Sequence, residues 1–205
     1  VLMTAPQLAQ ALAALGVASR RVPTAWDPRE ISGERRSDGQ TLLFVGSLTR
    51  QKGVHTLLQA FAKLPRGRLI LAGIGPLASA TLPPRAELAG WVEGPQLAAL
   101  LAEADVLVLP SRAEGCPLAV IEAMGAGCAV VATPVGAIPD VLPPGAPLVP
   151  VDDVDALADV LGRLLDDEAL CRSIGEANAR RATRYTVDAL VGRLDAVYDE
   201  ILGAR

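Results

Sequence analysis

The fold is decided by the stretch VLVLPSRAEGCPLAVIEAMGAG, residues 106–127. It begins with four apolar residues, Val106–Leu109, a pattern typical of a strand buried on both faces of a parallel sheet. A proline and a glycine turn follow, and apolar residues then recur at helical spacing until Gly125 and Gly127 end the helix. The stretch therefore predicts a strand, a turn and a helix whose N-terminus lies at the carboxyl edge of a sheet, where a phosphate is favoured.

Two glutamates flank this helix N-terminus. Glu114 lies in the turn before the helix and Glu122 lies inside it, with Pro117 expected in the first helical turn. Ionised carboxylates accept hydrogen bonds worth about 1.5–3 kcal/mol, and sugar hydroxyls are suitable donors. A glycoside hydrolase would need two carboxylates facing each other across a bond, about 5–9.5 Å apart. Both glutamates here come from one side of any ligand, which favours a binding function.

Two further glycine loops follow apolar strands. Residues 41–45 lead into GSLTRQKG, residues 46–53, and residues 68–72 lead into GIGP, residues 73–76. Because ligands of parallel sheets bind outside the carboxyl ends of the strands, all three loops are expected at one cleft. Their glycines permit close backbone approach to a ligand, although tight turns and solvated charges are the simpler alternatives. The residues that these loops contribute are Gly46, Ser47, Arg50, Lys52, Gly73 and Gly75.

The pattern of strand, loop and helix is repeated along the chain. Further strands are predicted near residues 87–89, at 129–132 and at 148–151, with a last helix over 187–202. The continuously apolar strands predict an α/β fold, a Rossmann-like parallel sheet with helices on both faces. The acidic run at residues 152–155 is interpreted as a helix N-cap rather than a metal site.

Composition excludes several classes of protein. The chain has 205 residues and is 51% hydrophobic, but no apolar run is long enough to span a membrane. A net charge of −4 gives no indication of nucleic-acid binding. The three cysteines are widely spaced without a CxxC pair, which is typical of a reduced, cytoplasmic protein without a zinc site. The single histidine, His55, is expected to be structural, so no metal or cofactor is predicted.

The string PSRAEGCPLAVIEAMGAGCAVVAT, residues 110–133, resembles the signature of the retaining glycosyltransferases of family four, which have the GT-B fold. The resemblance implies a nucleotide-diphosphate sugar donor, UDP-, GDP- or ADP-linked. It implies that Glu122 holds the ribose hydroxyls and that Glu114 contacts the transferred sugar in catalysis. Neighbouring donor contacts are implied along the start of the helix, at Gly115, Cys116, Pro117 and Leu118.

The loop at residues 46–53 is similar to the GRLxxxKG motif of the same family. The motif's arginine and lysine bind the donor diphosphate, and Lys52 matches the lysine. Ser47 stands at the arginine position, so Arg50 is expected to replace that cation. The family reads the base near the strand that contains Glu87, which is therefore a further donor-binding candidate.

The resemblance also implies a division of the chain. Residues 1–30 are expected to be the tail of an N-terminal acceptor domain, 31–40 a linker, 41–185 the donor-binding domain and 186–205 a helix that packs back toward the first domain. The valine at position 1 indicates a truncated protein, and such a chain is expected to bind a donor without transferring its sugar. A non-catalytic nucleotide-sugar-binding module and a GT-B-type sugar-nucleotide epimerase remain as alternatives.

Overall fold

The computed structural model describes residues 2–3, 6–22, 24–31, 35–36, 38–79 and 81–203. Seven strands lie in this part of the chain: β1 Leu2–Met3, β2 Arg20–Arg21, β3 Thr41–Val45, β4 Arg68–Ala72, β5 Ala86–Gly90, β6 Val106–Leu109 and β7 Ala129–Ala132. β1 and β2 form a short parallel pair. The other five form one parallel sheet in the order β5-β4-β3-β6-β7.

The helices connect these strands and follow the last of them. They are α1 Pro6–Ala14, α2 Val54–Ala62, α3 Pro95–Glu103, α4 Leu118–Gly125, α5 Ile138–Val141, α6 Val154–Asp166, α7 Glu168–Ala182 and α8 Val187–Gly203, with 3₁₀ turns at Pro76–Ser79 and Thr183–Tyr185. Helix α2 packs on α6, and α4 packs on α7 and β7. None of the helices within the described ranges is long and apolar enough to cross a membrane.

The sheet has the strand order of a doubly wound fold. β4 and β5 add to one side of β3, and β6 and β7 add to the other. Because parallel crossovers are right-handed, this reversal places α2 and α4 on opposite faces of the sheet. Both faces are therefore covered, and every residue of β6 and β7 is buried. The prediction of a Rossmann-like α/β fold is confirmed.

A crevice opens where the order reverses. β3 pairs with β4 along all five residues, but with β6 only at Leu42 and Leu43. The two strands thus separate toward their carboxyl ends, so the loops that follow them leave the sheet at the position where doubly wound folds bind ligands. The fold brings together the lysine-containing and glutamate-containing loops, which lie about 60 residues apart in sequence.

Several predicted elements differ from the observed ones. Pro117 is the N-cap of α4 rather than part of its first turn, and the helix begins at Leu118. The strand expected at 148–151 is a single bridge between Leu148 and Ala132, because the chain turns at once into the loop before α6. Within the acidic run, the predicted capping role is confirmed for Asp153, whose carboxylate accepts a hydrogen bond from the Ala156 amide at 2.9 Å.

The segment before the sheet is packed onto it through Trp26. The indole is 8% exposed, and its Nε1 donates to the Ala182 carbonyl at 3.2 Å. Its ring lies so close to Gly125 of α4 that a Cβ there would be 2.3 Å away. Trp26 also forms a parallel bridge with Thr186, which leads into α8. Of the linker predicted at 31–40, residues 32–34 and 37 lie outside the described ranges, as do residues 1, 4–5 and 23.

Candidate functional site

The first part of the site is the loop after β3, residues 46–53, here called the lysine loop. Its backbone is held by the loop after β4, since the Leu48 amide donates to the Ile74 carbonyl at 2.9 Å. A Cβ on Gly73 would lie 1.9 Å from the Gly46 carbonyl oxygen, and one on Gly75 would lie 2.6 Å from that of Leu48. The close approach predicted at these two glycines is therefore made to the lysine loop, and it fixes that loop's shape.

The second part is the loop after β6, residues 110–117, here called the glutamate loop. The Lys52 ammonium lies 2.7 Å from the Glu114 carboxylate and spans the crevice between the two loops. The hydroxyl of buried Ser111 donates to the same carboxylate oxygen, also at 2.7 Å. The Glu114 side chain is only 6% exposed and that of Lys52 is 27% exposed. Sequence reasoning assigned these residues to different parts of a donor, whereas the structure joins them in one charged centre.

Only one of the two carboxylate oxygens of Glu114 takes part in these contacts. Both Lys52 and Ser111 use Oε1, and within the described residues no hydrogen bond uses Oε2. A carboxylate oxygen has two lone pairs and accepts readily. Glu114 therefore keeps an acceptor for a further hydroxyl donor while its charge stays balanced by Lys52.

The backbone of the glutamate loop packs against Gly136, which was not predicted as a site residue. Gly136 follows β7 with a left-handed φ of 61°, and a Cβ there would lie 2.2 Å from the Glu114 carbonyl oxygen. The next residue, Ala137, donates its amide to the Gly115 carbonyl at 2.8 Å. The lysine loop also packs closely against the glutamate loop, because a Cβ on Gly53 would lie 1.9 Å from the Pro110 carbonyl oxygen. Backbone packing on both sides thus sets the position of Glu114.

The N-terminus of α4 offers backbone donors at the mouth of the crevice. The amides of Gly115, Cys116 and Leu118 take part in no hydrogen bond recorded among the described residues, and Pro117 has no N–H. Such free amides, together with the helix dipole, attract an anion or an electron-rich oxygen. That these residues contact a donor stays a prediction.

Glu122 lies more than a turn further along α4 and is partly buried. Burial raises the pKa of its carboxyl group above the ordinary value of 4.5, and the charge of Glu30 raises it further. No hydrogen bond to its carboxylate is recorded in the described part of the chain, so both oxygens remain available as acceptors. An unpaired, half-buried carboxylate is costly for folding and is typical of a binding site.

Arg50, which is predicted to replace the arginine of the family motif, lies on the lysine loop. Ser47 and Arg50 are both exposed on the lysine loop. Arg50 forms no ion pair with a carboxylate among the described residues, so its guanidinium is available to an anionic ligand. That it replaces the missing arginine stays a prediction.

Glu87 is the predicted residue that the structure does not bring to the two loops. Its carboxylate accepts a hydrogen bond from Arg68 Nε at 2.8 Å, and Arg68 is the first residue of β4, at the amino end of that strand. The residue that does follow the carboxyl end of β5 is Trp91, 65% exposed, with its Nε1 bonded to Glu93 at 3.2 Å. A bulge between β4 and β5 at Ala89 and a left-handed Gly90 redirect the chain there.

Charged side chains and backbone donors are the groups that the two loops bring together at this site. Among the described residues, no group of three or more histidine, cysteine, aspartate or glutamate side chains is arranged to hold a metal ion. The three cysteines, Cys116, Cys128 and Cys171, are free thiols. Burial raises the pKa of both Cys128 and Cys171 to about 11, so neither is a thiolate nucleophile.

Comparison with known proteins places this arrangement in a family. The family model described as Glycosyl transferases group 1 matches residues 39–167, which include the lysine and glutamate loops. The chain is similar to the MMP alpha-(1->4)-mannosyltransferase of Mycolicibacterium hassiacum, with 41% identity over 111 residues, 52% of this chain and 27% of that protein. It spans about a quarter of the length of the first curated relatives that it matches.

Solved structures agree with this match. Sucrose-phosphate synthase from Thermosynechococcus elongatus superposes with a TM-score of 0.88 and 27% identity, over 100% of this chain and 59% of that one. Anabaena HepE in complex with UDP and glucose superposes with a TM-score of 0.83 and 18% identity, over 98% and 63% of the two chains. The latter likeness concerns the fold alone. Because the family model covers more than half of its residues, the chain belongs to the glycosyl transferases group 1 family.

Proposed function

We propose that this chain is the donor-binding part of a retaining glycosyltransferase that uses a nucleotide-diphosphate sugar. The observation that carries the proposal is the Lys52–Glu114 ion pair, which lies at the reversal of strand order beside the free amides at the start of α4. A cation and backbone donors suit a diphosphate, and a buried carboxylate with a spare oxygen suits a sugar hydroxyl. The UDP in the complex of the similarly folded HepE agrees with this ligand class.

Lys52 and Glu114 have complementary tasks in this proposal. The lysine ammonium has three donors, so it can contact Glu114 and a phosphate oxygen at the same time. When the glycosidic bond to the diphosphate breaks, negative charge grows on the leaving phosphate, and a cation already fixed by Glu114 stabilises it without reorganisation. Glu114 holds the transferred sugar through its second oxygen, and Arg50 adds a second cation from the rim of the lysine loop.

The nucleoside is assigned to Glu122 and Trp91. Glu122 accepts hydrogen bonds from the two ribose hydroxyls, which supply the partners that its carboxylate lacks. Trp91, exposed after β5, offers a flat apolar surface to the base, and stacking of this kind contributes about 1–3 kcal/mol per base. Any of the UDP-, GDP- and ADP-linked donors fits a surface that reads the base by stacking.

A division of labour between two domains follows from the proposal. The chain supplies the donor site, and the acceptor site belongs to residues outside it. Transfer needs the acceptor to be held in line with the donor, and such positioning is worth effective molarities of about 10⁵–10⁸ M. The chain alone is therefore proposed to bind a donor while transferring its sugar slowly or not at all.

One observation favours a second candidate, a nucleotide-sugar-binding module without transferase activity. Ser47 stands where the family motif has an arginine, and Arg50 is exposed rather than fixed by a partner. A site with one fixed cation binds a diphosphate but stabilises the departing charge less well. Sugar transfer by the full-length protein to any acceptor, detected by mass spectrometry, would exclude the binding module.

A thermal-shift panel tests the donor class directly. The chain is heated alone and with UDP-, GDP- and ADP-sugars, each beside its free nucleoside. A ligand at 100 times its Kd stabilises the native state by about 2.7 kcal/mol, which is easily detected. We expect at least one diphosphate series to stabilise the chain and the Lys52→Met variant to lose that stabilisation. A folded chain that none of these diphosphates stabilises would refute the proposed function.

A further inference from the structure

Asp152, in the loop before α6, has a left-handed backbone conformation. Its φ is +61°, and among the described residues only Arg85 is another non-glycine residue with a positive φ. Glycine fits this left-handed region without steric cost, whereas an aspartate enters it more readily than most residues but still at some cost in free energy. Capping of α6 does not explain why an aspartate occupies position 152, because the neighbouring Asp153 already caps that helix. The strain therefore needs a different compensating contact.

The Asp152 carboxylate makes that contact with two segments at once. Its Oδ1 accepts hydrogen bonds from Arg112 Nε at 2.9 Å and from the Thr56 hydroxyl at 3.3 Å. The same oxygen lies 3.6 Å from Nε2 of His55. Arg112 belongs to the glutamate loop, and His55 and Thr56 lie in the first turn of α2, directly after the lysine loop. One oxygen atom thus connects the glutamate loop to the first turn of α2, which directly follows the lysine loop.

His55 completes this connection as a neutral acceptor. Its Nε2 lies 3.3 Å from Arg112 Nη2, and a guanidinium nitrogen can only donate, so this contact requires Nε2 to accept. The ring proton is then assigned to Nδ1, which is buried and has no hydrogen-bond partner among the described residues. Burial and the charge of Arg112 both lower the pKa of His55, which agrees with a neutral ring. His55 was predicted to be structural, and its contacts with Arg112 and Asp152 show which part of the structure it supports.

The connected segments are the ones that carry Lys52 and Glu114. Arg112 lies two residues before Glu114, and its own amide donates to the carbonyl of Gln51, the neighbour of Lys52, at 2.8 Å. A rotation of either loop would therefore change the Lys52–Glu114 contact and the contacts of Arg112 together. We propose that Asp152 is a positioning residue of the donor site, a clamp that fixes the lysine loop against the glutamate loop through Arg112, His55 and Thr56.

This inference rests on the proposed function for its effect on a donor, but the clamp itself can be measured without a ligand. The Asp152→Gly variant removes the carboxylate and also relieves the left-handed backbone, so a carboxylate whose contacts contribute nothing would leave the chain as stable or more stable. Asp152→Asn keeps an acceptor oxygen for Arg112 and should retain part of the effect. Arg85→Gly is the matched control, because it relieves the other left-handed residue, whose side chain bonds to Gly67 and Leu64.

Two readouts on these variants decide the inference. In Asp152→Gly we expect hydrogen exchange of the Arg112 amide to become about tenfold faster. We also expect a loss of about tenfold in affinity for the nucleoside diphosphate, with nucleoside affinity unchanged. Asp152→Asn should fall between that variant and the wild type, and Arg85→Gly should match the wild type in both readouts.

Each result has one meaning. An Arg112 amide that exchanges at the wild-type rate in Asp152→Gly overturns the clamp, and so does an unchanged diphosphate affinity. If Asp152→Gly fails to fold, the same two criteria apply to Asp152→Asn. A wild-type chain that binds no nucleoside diphosphate refutes the proposed function instead, and the clamp is then judged by amide exchange alone.

Discussion

Removing the Lys52 charge should destabilise the chain even without a ligand. Lys52→Met keeps the apolar stem but leaves the Glu114 carboxylate, 6% exposed, with only the Ser111 hydroxyl as partner. Breaking a fully buried ion pair by removing one partner costs about 3–5 kcal/mol. Because the Lys52 side chain is 27% exposed and water reaches the pair from that side, we expect a loss of about 2–3 kcal/mol in the free energy of unfolding. For a chain of this size that lowers Tm by about 4–12 °C.

Urea and thermal unfolding of a matched set of variants measure this loss. The only other lysine, Lys63, pairs with Asp155 on the surface, where both side chains are at least half exposed. Lys63→Met is therefore the control, with an expected loss of about 0–1 kcal/mol. The double variant Lys52→Met/Glu114→Gln should recover most of the stability, because a neutral amide needs no counter-charge. Equal losses in the single and double variants would show that Glu114 is not the buried charge that Lys52 balances.

Three further predictions concern other parts of the site. Because the pKa of Glu122 is raised above 4.5, the native state binds its proton more readily than the unfolded chain, and stability falls as the pH rises from 4.5 through that raised pKa. Glu122→Gln should therefore be more stable than the wild type at pH 7 and as stable as the wild type at pH 4. Its affinity for the nucleoside, measured by calorimetry, should fall by about 1–3 kcal/mol. A variant less stable than the wild type at pH 7 would contradict the predicted pH dependence. Gly136→Ala should lower Tm far more than Gly145→Ala, since both positions have a positive φ but only Gly136 has backbone within 4 Å of the new Cβ; equal shifts in Tm would be the contrary result. Trp91→Ala should weaken the binding of nucleoside diphosphates by about 1–3 kcal/mol without changing the affinity for pyrophosphate. The control is Tyr198→Ala, which removes another exposed aromatic side chain and should change neither affinity. Equal nucleoside diphosphate affinities in the two variants would show that the base does not stack on Trp91.

The elements that sequence predicts best are those with strong local patterns. The apolar runs at 41–45, 68–72 and 129–132 became strands with those bounds, because burial on both faces leaves no room for polar residues. The strand predicted at 148–151 is only a single bridge, because the chain turns at once into the loop before α6 and Pro150 has no amide hydrogen to extend the pairing. Trp26 could not be recognised as buried, since its partners are Gly125 and Ala182, about 100 and 150 residues further along.

The candidate site shows the same limit. Motif spacing indicated Lys52 and Glu114, but their direct contact depends on how far β3 and β6 separate, which no local pattern contains. Gly136 and Asp152 were missed because their roles come from contacts with Glu114 and Arg112 across the fold. Glu87 was predicted at the donor site, but its side chain bonds to Arg68 at the amino end of β4. The sequence of a strand does not reveal toward which end of the sheet a long side chain extends.

The claim that a nucleoside diphosphate occupies the crevice between the lysine and glutamate loops is tested most directly by an NMR titration. The backbone amides of the chain are assigned and followed while UDP, GDP or ADP is added. We predict that shifts concentrate at residues 46–53, 115–118 and 90–92, and that Lys52→Met weakens them. Shifts concentrated instead at the amino edge of the sheet, around Arg68 and Glu87, or the absence of any shift for all three ligands, would contradict the account.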